Sequence, residues 1–409
     1  MAQIQPRKPG RKAVRYGVPV AVAGAAAATI GLVPALADTG DPDLPKVTAE
    51  ELVTKMAKSD VQHMSGTVKI NTDLGLPALP GSGGGNGGHG PFGGGDEQRG
   101  GDSEEGAEKE GSGADPQSKL MELASGEHTL RVATDGPDKQ RVSVVEEAAE
   151  YSFIHNGQDI WAYDSASNSA FHAQAPKDAG KGKQHKMPEG MANLTPEKAA
   201  DQALKAVDKT TSVSVDGTSK VAGRDAYTLV IKPKAAADST VESVRIAVDA
   251  DNGAPLKFTL TPDGGGKPVI DIAYRNVDFG KPGADTFEFK APKGAKVTEK
   301  ELDGKAPEKG AKPDLSGFDV LGEGWNTVVE IPLPGNALAG PMGGDKEGGG
   351  SEQMKRLLDA FTDEAKGDFG TGRVFETRLV NALITDDGKV FAGAVTKDGL
   401  VKAADEAAK

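Results

Sequence analysis

The chain has 409 residues, a formal net charge of −13, 37% hydrophobic and 5% aromatic residues, and no cysteine. A chain of this length is expected to hold about two domains. The acidic charge disfavours nucleic acid and anionic membrane surfaces as partners. The lack of cysteine excludes disulfides, a lipid-attachment cysteine and thiolate metal sites, so burial in an ordinary core must stabilise the fold.

Residues 1–37 predict an export signal. A basic stretch from Arg7 to Arg15, without acids, precedes the apolar run VPVAVAGAAAATIGLVPALA. The small residues Ala35 and Ala37 fit a cleavage site before Asp38. The run is also long enough to be an uncleaved membrane anchor. Both alternatives place the rest of the chain outside the cytoplasm, because the basic flank stays inside.

The first predicted elements are an amphipathic helix and a strand. Thr48 and Glu51 have the spacing of a capping box. Apolar residues then recur at helical spacing from Leu52 to Ala57, which predicts a helix over residues 49–60. A strand is predicted next, over residues 66–71.

A Gly-rich segment, residues 81–114, follows this strand. Gly83, Gly85 and Gly88 have the G-x-G-x-x-G spacing of a dinucleotide-binding turn. The residues after them are acidic and lack apolar periodicity, so no helix begins there to hold a phosphate. Because such a composition cannot bury enough apolar surface to fold, we interpret residues 81–114 as a disordered insert.

Alternating apolar and polar residues from about residue 128 predict antiparallel strands. They are separated by turn signals at Gly136-Pro137, Asn156-Gly157 and Asp251-Asn252-Gly253. A second helix is predicted after Thr195, with Pro196 at its first position. Since each strand is apolar on one face only, we expect one antiparallel sheet, curled into a half-barrel and covered by helices.

The C-terminal part is predicted to be a separate small α+β domain, residues 315–409. Residues 290–314 are rich in Lys, Gly, Pro and Glu, and 301–314 are assigned as the linker. The domain is expected to contain a strand at GWNTVVEIPLP, a helix carrying Met354 and Phe361, a hairpin formed by VFETRLVNALI and KVFAGAV, and a short terminal helix. The fold class is therefore α+β, with residues 38–300 forming the half-barrel.

No sequence pattern predicts catalysis or a metal site. The six histidines lack metal-ligand spacing, and no G-x-S-x-G motif is present. Asp249, Asp251 and Gly253 resemble a calcium loop, but a glycine stands where a ligand is needed and no glutamate closes the loop. We expect no enzyme activity, no cofactor and no metal.

The apolar face of the predicted sheet collects most large aromatic residues of the first domain. Core filling explains any one of them, but the whole set, under only two helices, favours a cavity for a lipid or acyl chain. Beside it, LGLPALP with Leu74, Leu76 and Leu79 is either a mobile lip or a packed edge loop. The candidate ligand-binding residues are Phe153, Trp161, Tyr163, Phe171, Tyr227, Leu229, Ile231, Val244, Ile246, Val248, Leu256, Phe258, Leu260, Ile270, Ile272 and Tyr274.

The element order resembles the periplasmic lipoprotein-carrier (LolA-like) family over residues 48–300. Asn156 to Asp164 matches a "DG-x-x-x-W-x-YD" strand pair, and Phe287 to Val297 matches a closing "F-x-F-x-x-P-x-G-x-x-V". The resemblance implies a half-barrel with a helical lid and a hydrophobic cavity for acyl chains. One departure is Gly136, which stands before the first hairpin's proline where the family commonly has a basic residue. The C-terminal extension is similar to sensors of the RseB/MucB type, which implies binding to an anti-sigma factor.

The sequence thus predicts an exported, monomeric protein that binds a lipid or an acylated lipoprotein and does not bind nucleic acid. The alternative is an envelope-stress regulator whose residues 315–409 bind an anti-sigma factor or another membrane partner.

Overall fold

The computed structural model describes residues 42–75, 119, 123, 125–174, 195–301, 319–332 and 361–409. The predicted export signal, the Gly-rich insert, the linker after residue 301 and the helix predicted around Met354 lie outside these residues. So do Leu76 and Leu79 of the predicted lip. Within the described ranges, no helix has both the length and the apolar character needed to cross a membrane.

Most of the described residues lie in strands. The helices are α1 (Ala49–Lys58), α2 (Pro196–Lys205) and α3 (Lys397–Ala407). The strands of the first sheet are β1 (His63–Thr72), β2 (Gly126–Asp135), β3 (Lys139–Val145), β4 (Glu150–Asn156), β5 (Asp159–Asp164), β6 (Ser169–Gln174), β7 (Thr211–Val221), β8 (Arg224–Pro233), β9 (Val241–Asp249), β10 (Pro255–Pro262), β11 (Ile270–Asp278) and β12 (Lys296–Glu301). Those of the second sheet are β13 (Asp319–Leu321), β14 (Val328–Pro332), β15 (Thr362–Gly367), β16 (Gly370–Phe375), β17 (Asn381–Thr385) and β18 (Lys389–Gly393).

The first sheet has twelve strands in the order β12-β6-β5-β4-β3-β2-β1-β11-β10-β9-β8-β7. All neighbouring strands are antiparallel except β6 and β12. The chain builds β1 to β6 outward in one direction, moves to the far edge at β7 and returns to place β11 beside β1. A large open antiparallel sheet with few helices is consistent with the LolA-like fold that the sequence predicts.

Helices α1 and α2 lie on the same face of this sheet, which we call the helix face. Helix α1 contacts β7 and β8, and α2 contacts β9, β10 and β11. Their apolar residues form one hydrophobic cluster with the strand residues of the helix face. Val68, Leu130 and Ile246 of this cluster are fully buried.

The C-terminal end of α1 is joined to the turn between β9 and β10. The Lys55 ammonium donates a hydrogen bond to the Ala250 carbonyl. Gly253 in this turn has φ +75°, and a Cβ there would lie 2.7 Å from the Lys55 carbonyl oxygen. Only glycine tolerates both the positive φ and this close approach, so the predicted Asp251-Asn252-Gly253 turn also fixes the helix.

Strand β12 was not predicted: the half-barrel was expected to end at residue 300, and the Lys-, Gly-, Pro- and Glu-rich residues 290–314 show no strand pattern. Lys296–Glu301 instead extends the first sheet by pairing in parallel with β6, from Lys296 opposite Ser169 to Glu301 opposite Gln174. The sequence KVTEKE has too little apolar alternation to predict a strand. It is held through backbone pairing at an edge, where charged residues are common.

The second sheet has six strands in the order β13-β14-β18-β17-β16-β15, all antiparallel. Helix α3 packs against β15, β17 and β18. Val328, Leu383, Phe391 and Leu400 belong to its buried core.

Two predicted strands of this region are shorter in the structure. In GWNTVVEIPLP, Gly324–Asn326 forms a 3-10 turn and the strand begins only at Val328. VFETRLVNALI is broken between Phe375 and Asn381, because the Asn381 side chain accepts a hydrogen bond from the Thr377 backbone (2.7 Å) and so closes a turn. Strand β15 was not predicted.

The two sheets contact each other directly. Ser239 pairs with Val395 as an isolated β-bridge, and the Thr240 N–H donates to the Ala394 carbonyl at 3.0 Å. Near the end of β1, Arg378 forms an ion pair with Asp73 at 2.6 Å. The turn before β17 and the segment before α3 therefore fix the second sheet to the first.

Candidate functional site

The helix face gathers nearly all predicted binding residues into one apolar cluster. The buried ones are Phe153, Tyr227, Leu229, Ile231, Val244, Ile246, Val248, Leu256, Phe258, Ile272 and Tyr274, and the partly buried ones are Phe171, Leu260 and Ile270. They extend across the face from β4 and β6 on one side to β8 on the other. The strand alternation in the sequence is sufficient to bring them to one face.

Trp161 and Tyr163 lie on the opposite face, so the prediction that they share a face with Phe153 was wrong. Directly opposed residues of an antiparallel pair point to the same side. Phe153 is opposite Ala162, whereas Trp161 is opposite Ile154. Because Asn156 pairs with Asp159 across a two-residue turn, odd-numbered residues of β4 pair with even-numbered residues of β5 and lie on the same side of the sheet as they do.

On this second face, which we call the outer face, the two aromatics form a patch with His172 and Phe289. The Trp161 ring stacks on the His172 imidazole, with centroids 3.9 Å apart. The Phe289 ring lies 5.2 Å from Trp161 and 5.4 Å from Tyr163. The patch therefore packs the segment between β11 and β12 against the outer face, since Phe287 of that segment is also buried.

A polar network lies beside this aromatic patch. Arg141 donates to the Thr286 carbonyl (3.2 Å), and the Ser143 and Ser152 hydroxyls are 2.8 Å apart. Burial alone would raise the pKa of Glu150, but hydrogen bonds from Ser152 and Ser143 and the charge of Arg141 hold it below its usual value. The network is a satisfied set of hydrogen bonds that fixes the crossing segment.

The helix face also carries an acidic side chain, Glu197, in the first turn of α2. The Tyr274 hydroxyl donates to Glu197 Oε2 at 3.3 Å and lies 3.8 Å from the Met64 sulfur. The other oxygen, Oε1, is buried and has no hydrogen-bond partner among the described residues. Burial raises the pKa of Glu197 to about 7, and the hydrogen bonds offered to it offset only part of that effect.

Tyr274 reaches this position because β1 has a glycine beneath it. A Cβ at Gly66 would lie 3.2 Å from the Tyr274 ring and 2.5 Å from the Asn276 carbonyl oxygen. The register between β1 and β11 shifts just beyond, between Thr67 and Val68. The tyrosine ring can therefore lie against the β1 backbone with its hydroxyl directed to α2.

Sequence reasoning missed three residues of the helix face: Met64, Tyr151 and Glu197. Tyr151 could have been found from the alternation of its strand, because it faces the same side as Phe153, whereas Met64 lies before the strand predicted over residues 66–71. Glu197 carried no such signal. An acidic residue in the first turn of a helix is ordinary, since it interacts favourably with the helix dipole, and only the tertiary structure shows that its Oε1 is buried.

The described residues contain no group of three or more His, Asp or Glu side chains arranged to hold a metal ion. The helix face is an apolar surface on which Tyr274 and Glu197 form a polar position.

Three solved structures illustrate what the fold is similar to. MucB in complex with MucA, from Pseudomonas aeruginosa, is 14% identical; the match covers 87% of this chain and 96% of that one, with a TM-score of 0.35. The LolA-superfamily protein NE2245 from Nitrosomonas europaea is 12% identical, with 60% and 99% covered and a TM-score of 0.20. A putative outer membrane lipoprotein-sorting protein domain from Vibrio parahaemolyticus is 10% identical, with 58% and 95% covered and a TM-score of 0.20.

Comparisons of the sequence alone match a shorter part of the chain than the comparisons of the fold. None of the curated proteins matches significantly. Residues 115–299, which include β2 to β11, match the model of a family described as "Predicted periplasmic protein (DUF2092)". Over most of its first sheet the chain is therefore similar to this predicted periplasmic family, and the similarity bears out the extracytoplasmic location that the N-terminal segment predicts.

Proposed function

We propose that this protein is an exported, non-enzymatic binding protein that holds the acyl chains of a lipid or an acylated lipoprotein on the helix face. The observation that carries the proposal is the continuity of the apolar cluster, which extends from Phe171 on β6 to Val213 on β7. In the described residues this wide surface is covered mainly by two helices of ten residues each. A ligand that displaces part of that cover would find an apolar surface ready for it.

The energy of acyl-chain burial is sufficient for such a displacement. Each buried CH₂ group contributes about 0.8 kcal/mol, so a chain of ordinary length offsets the exposure of several small side chains. Helix α2 presents such small side chains to the cluster, among them Ala199, Ala200 and Ala203. In this proposal the first sheet acts as a half-barrel with a helical lid, and residues 315–409 form a separate small domain of a monomer.

The test is native mass spectrometry of the mature chain, residues 38–409, exported from its own host, with organic extraction of bound material. We expect a mass excess that extracts as phospholipid or acylated peptide. Phe171→Ala, on the helix face, should lower the bound amount several-fold. Tyr163→Ala, a truncation of a similarly half-buried aromatic on the outer face, is the matched control and should leave it unchanged.

A wild-type chain that carries nothing would overturn the acyl-chain proposal. The search would then move to the alternative, a regulator whose residues 315–409 bind an anti-sigma factor or another envelope protein. In the described part of that region, Val320 and Val380 are the large apolar residues that are exposed. They lie on different elements, β13 and the turn before β17, and single exposed apolar residues are ordinary on soluble proteins, which is why we favour the helix face.

A further inference from the structure

The unpartnered oxygen of Glu197 is the feature of the helix face that apolar packing does not explain. Oε1 is buried without a hydrogen-bond partner among the described residues, although Oε2 accepts from the Tyr274 hydroxyl. Leaving a buried polar atom unpaired costs on the order of 1–3 kcal/mol. Native proteins keep few such atoms, so each requires an explanation.

The surroundings of Glu197 determine which form of the carboxyl is present. Its neighbours are its own backbone N–H, the Thr195 hydroxyl, the Tyr274 hydroxyl and, beyond the tyrosine, the Met64 thioether, none of which carries a charge. The positive charge of Lys198 lowers the pKa of Glu197, but less than any of the hydrogen bonds does. With a pKa of about 7, the group is largely protonated in mildly acidic solution and can donate a hydrogen bond.

Helix α2 places this donor against Tyr274 of β11, within the proposed binding surface. Glu197 is the second residue of α2, and the following residues Ala200 and Ala203 pack into the apolar cluster. An acyl chain that lies along the cluster beneath α2 with its first carbons at the start of the helix would bring its polar end to Glu197. The functional group at that end of an esterified chain is a carbonyl, which accepts hydrogen bonds and has no proton to donate.

We propose that Glu197 binds the ester carbonyl oxygen of an acyl chain held on the helix face, with the neutral carboxyl donating its O–H and Tyr274 fixing the other oxygen. This inference rests on the proposed function and deepens it, because it assigns the polar end of the ligand. Esterified acyl chains are thereby distinguished from plain hydrocarbon and from ether-linked chains, which lack the carbonyl.

The test compares two lipids that differ only in this carbonyl. Delipidated mature chain is incubated at pH 6 with vesicles of dioleoyl phosphatidylcholine or of its dioleyl diether analogue, separated from them, and analysed by native mass spectrometry. We expect wild type to take up the diester roughly threefold to tenfold more than the diether, the range of one hydrogen bond. Glu197→Leu should take up both equally. Glu197→Gln should keep part of the preference, because an amide N–H still donates.

The matched control is Glu50→Gln, which makes the same change of charge at an exposed position of α1 and should keep the full preference. Equal uptake of both lipids by wild type would overturn the Glu197 assignment and leave the proposed function standing. A preference that survives in Glu197→Leu would also overturn it. Uptake of neither lipid would overturn both proposals. If Glu197→Leu shows no cooperative unfolding and is therefore not folded, Glu197→Ala takes its place. The comparison of the two lipids with the wild-type chain requires no variant.

Discussion

Helices α1 and α2 have equal length and lie on the same face, yet they are held very differently. Helix α1 begins with a complete capping box: Glu51 N–H donates to the Thr48 hydroxyl (3.2 Å), and Thr48 N–H donates to the Glu51 carboxylate (2.7 Å). Its buried residues are the large Leu52 and Val53. The Lys55 ammonium joins its other end to the β9–β10 turn.

Helix α2 lacks each of these features. The Thr195 side chain makes no capping hydrogen bond to the helix backbone. Its buried residues are Pro196 and Ala200, which lose little when exposed. Its first turn also carries Glu197 with an unpaired oxygen. The difference indicates that α1 is a fixed part of the core, whereas α2 is the more weakly held part of the cover.

The largest expected effect comes from truncating a leucine on each helix. Leu52→Ala on α1 removes a fully buried side chain and should lower the free energy of unfolding by about 2–5 kcal/mol. Leu204→Ala on α2 removes a half-buried one and should cost only about 1–2 kcal/mol, since less apolar area is lost. Urea unfolding of both variants measures the difference. Equal losses would show that α2 is as much a part of the core as α1.

The next effect is a dependence of stability on pH that comes from Glu197 of α2. The folded pKa of Glu197, about 7, lies above the ordinary value of 4.5. Its stabilising contribution is therefore fully present below about pH 4.5 and is lost as the pH rises through about 7. Relative to Glu197→Gln, wild type should lose about 3 kcal/mol between pH 4.5 and pH 8.

Denaturant unfolding at several pH values measures this loss. Glu50→Gln, exposed on α1, is the control and should follow the wild-type curve. A wild-type curve parallel to that of Glu197→Gln would contradict the burial of this carboxyl.

The features of both helices that sequence predicted are the local ones. The capping box of Thr48 and Glu51, the proline at the start of α2 and the Asp251-Asn252-Gly253 turn all depend on residues close together in the chain. Strand alternation likewise placed most of the helix face correctly, because the two-residue period is a property of the backbone. These signals require no knowledge of what packs against them.

The errors concern what lies across the sheet or at its edge. The face on which Trp161 lies depends on the register between β4 and β5. With the two-residue turn, odd-numbered residues of β4 share a face with even-numbered residues of β5, so Trp161 and Phe153 lie on opposite faces although both are odd-numbered. Strand β12 forms because β6 offers an open edge. The burial of Glu197 depends on how α2 meets Tyr274. Each requires partners distant in the chain.

The smallest effect tests the caps. Thr48→Ala removes the hydroxyl that accepts the Glu51 N–H and should lower the free energy of unfolding by about 1 kcal/mol. Thr195→Ala, the same change at the start of α2, should cost no more than about 0.5 kcal/mol, because that hydroxyl caps no backbone N–H. The two variants are compared by thermal unfolding in the same buffer. A larger loss for Thr195→Ala would mean that the start of α2 is fixed by its cap and that the opening of the cover must be sought elsewhere.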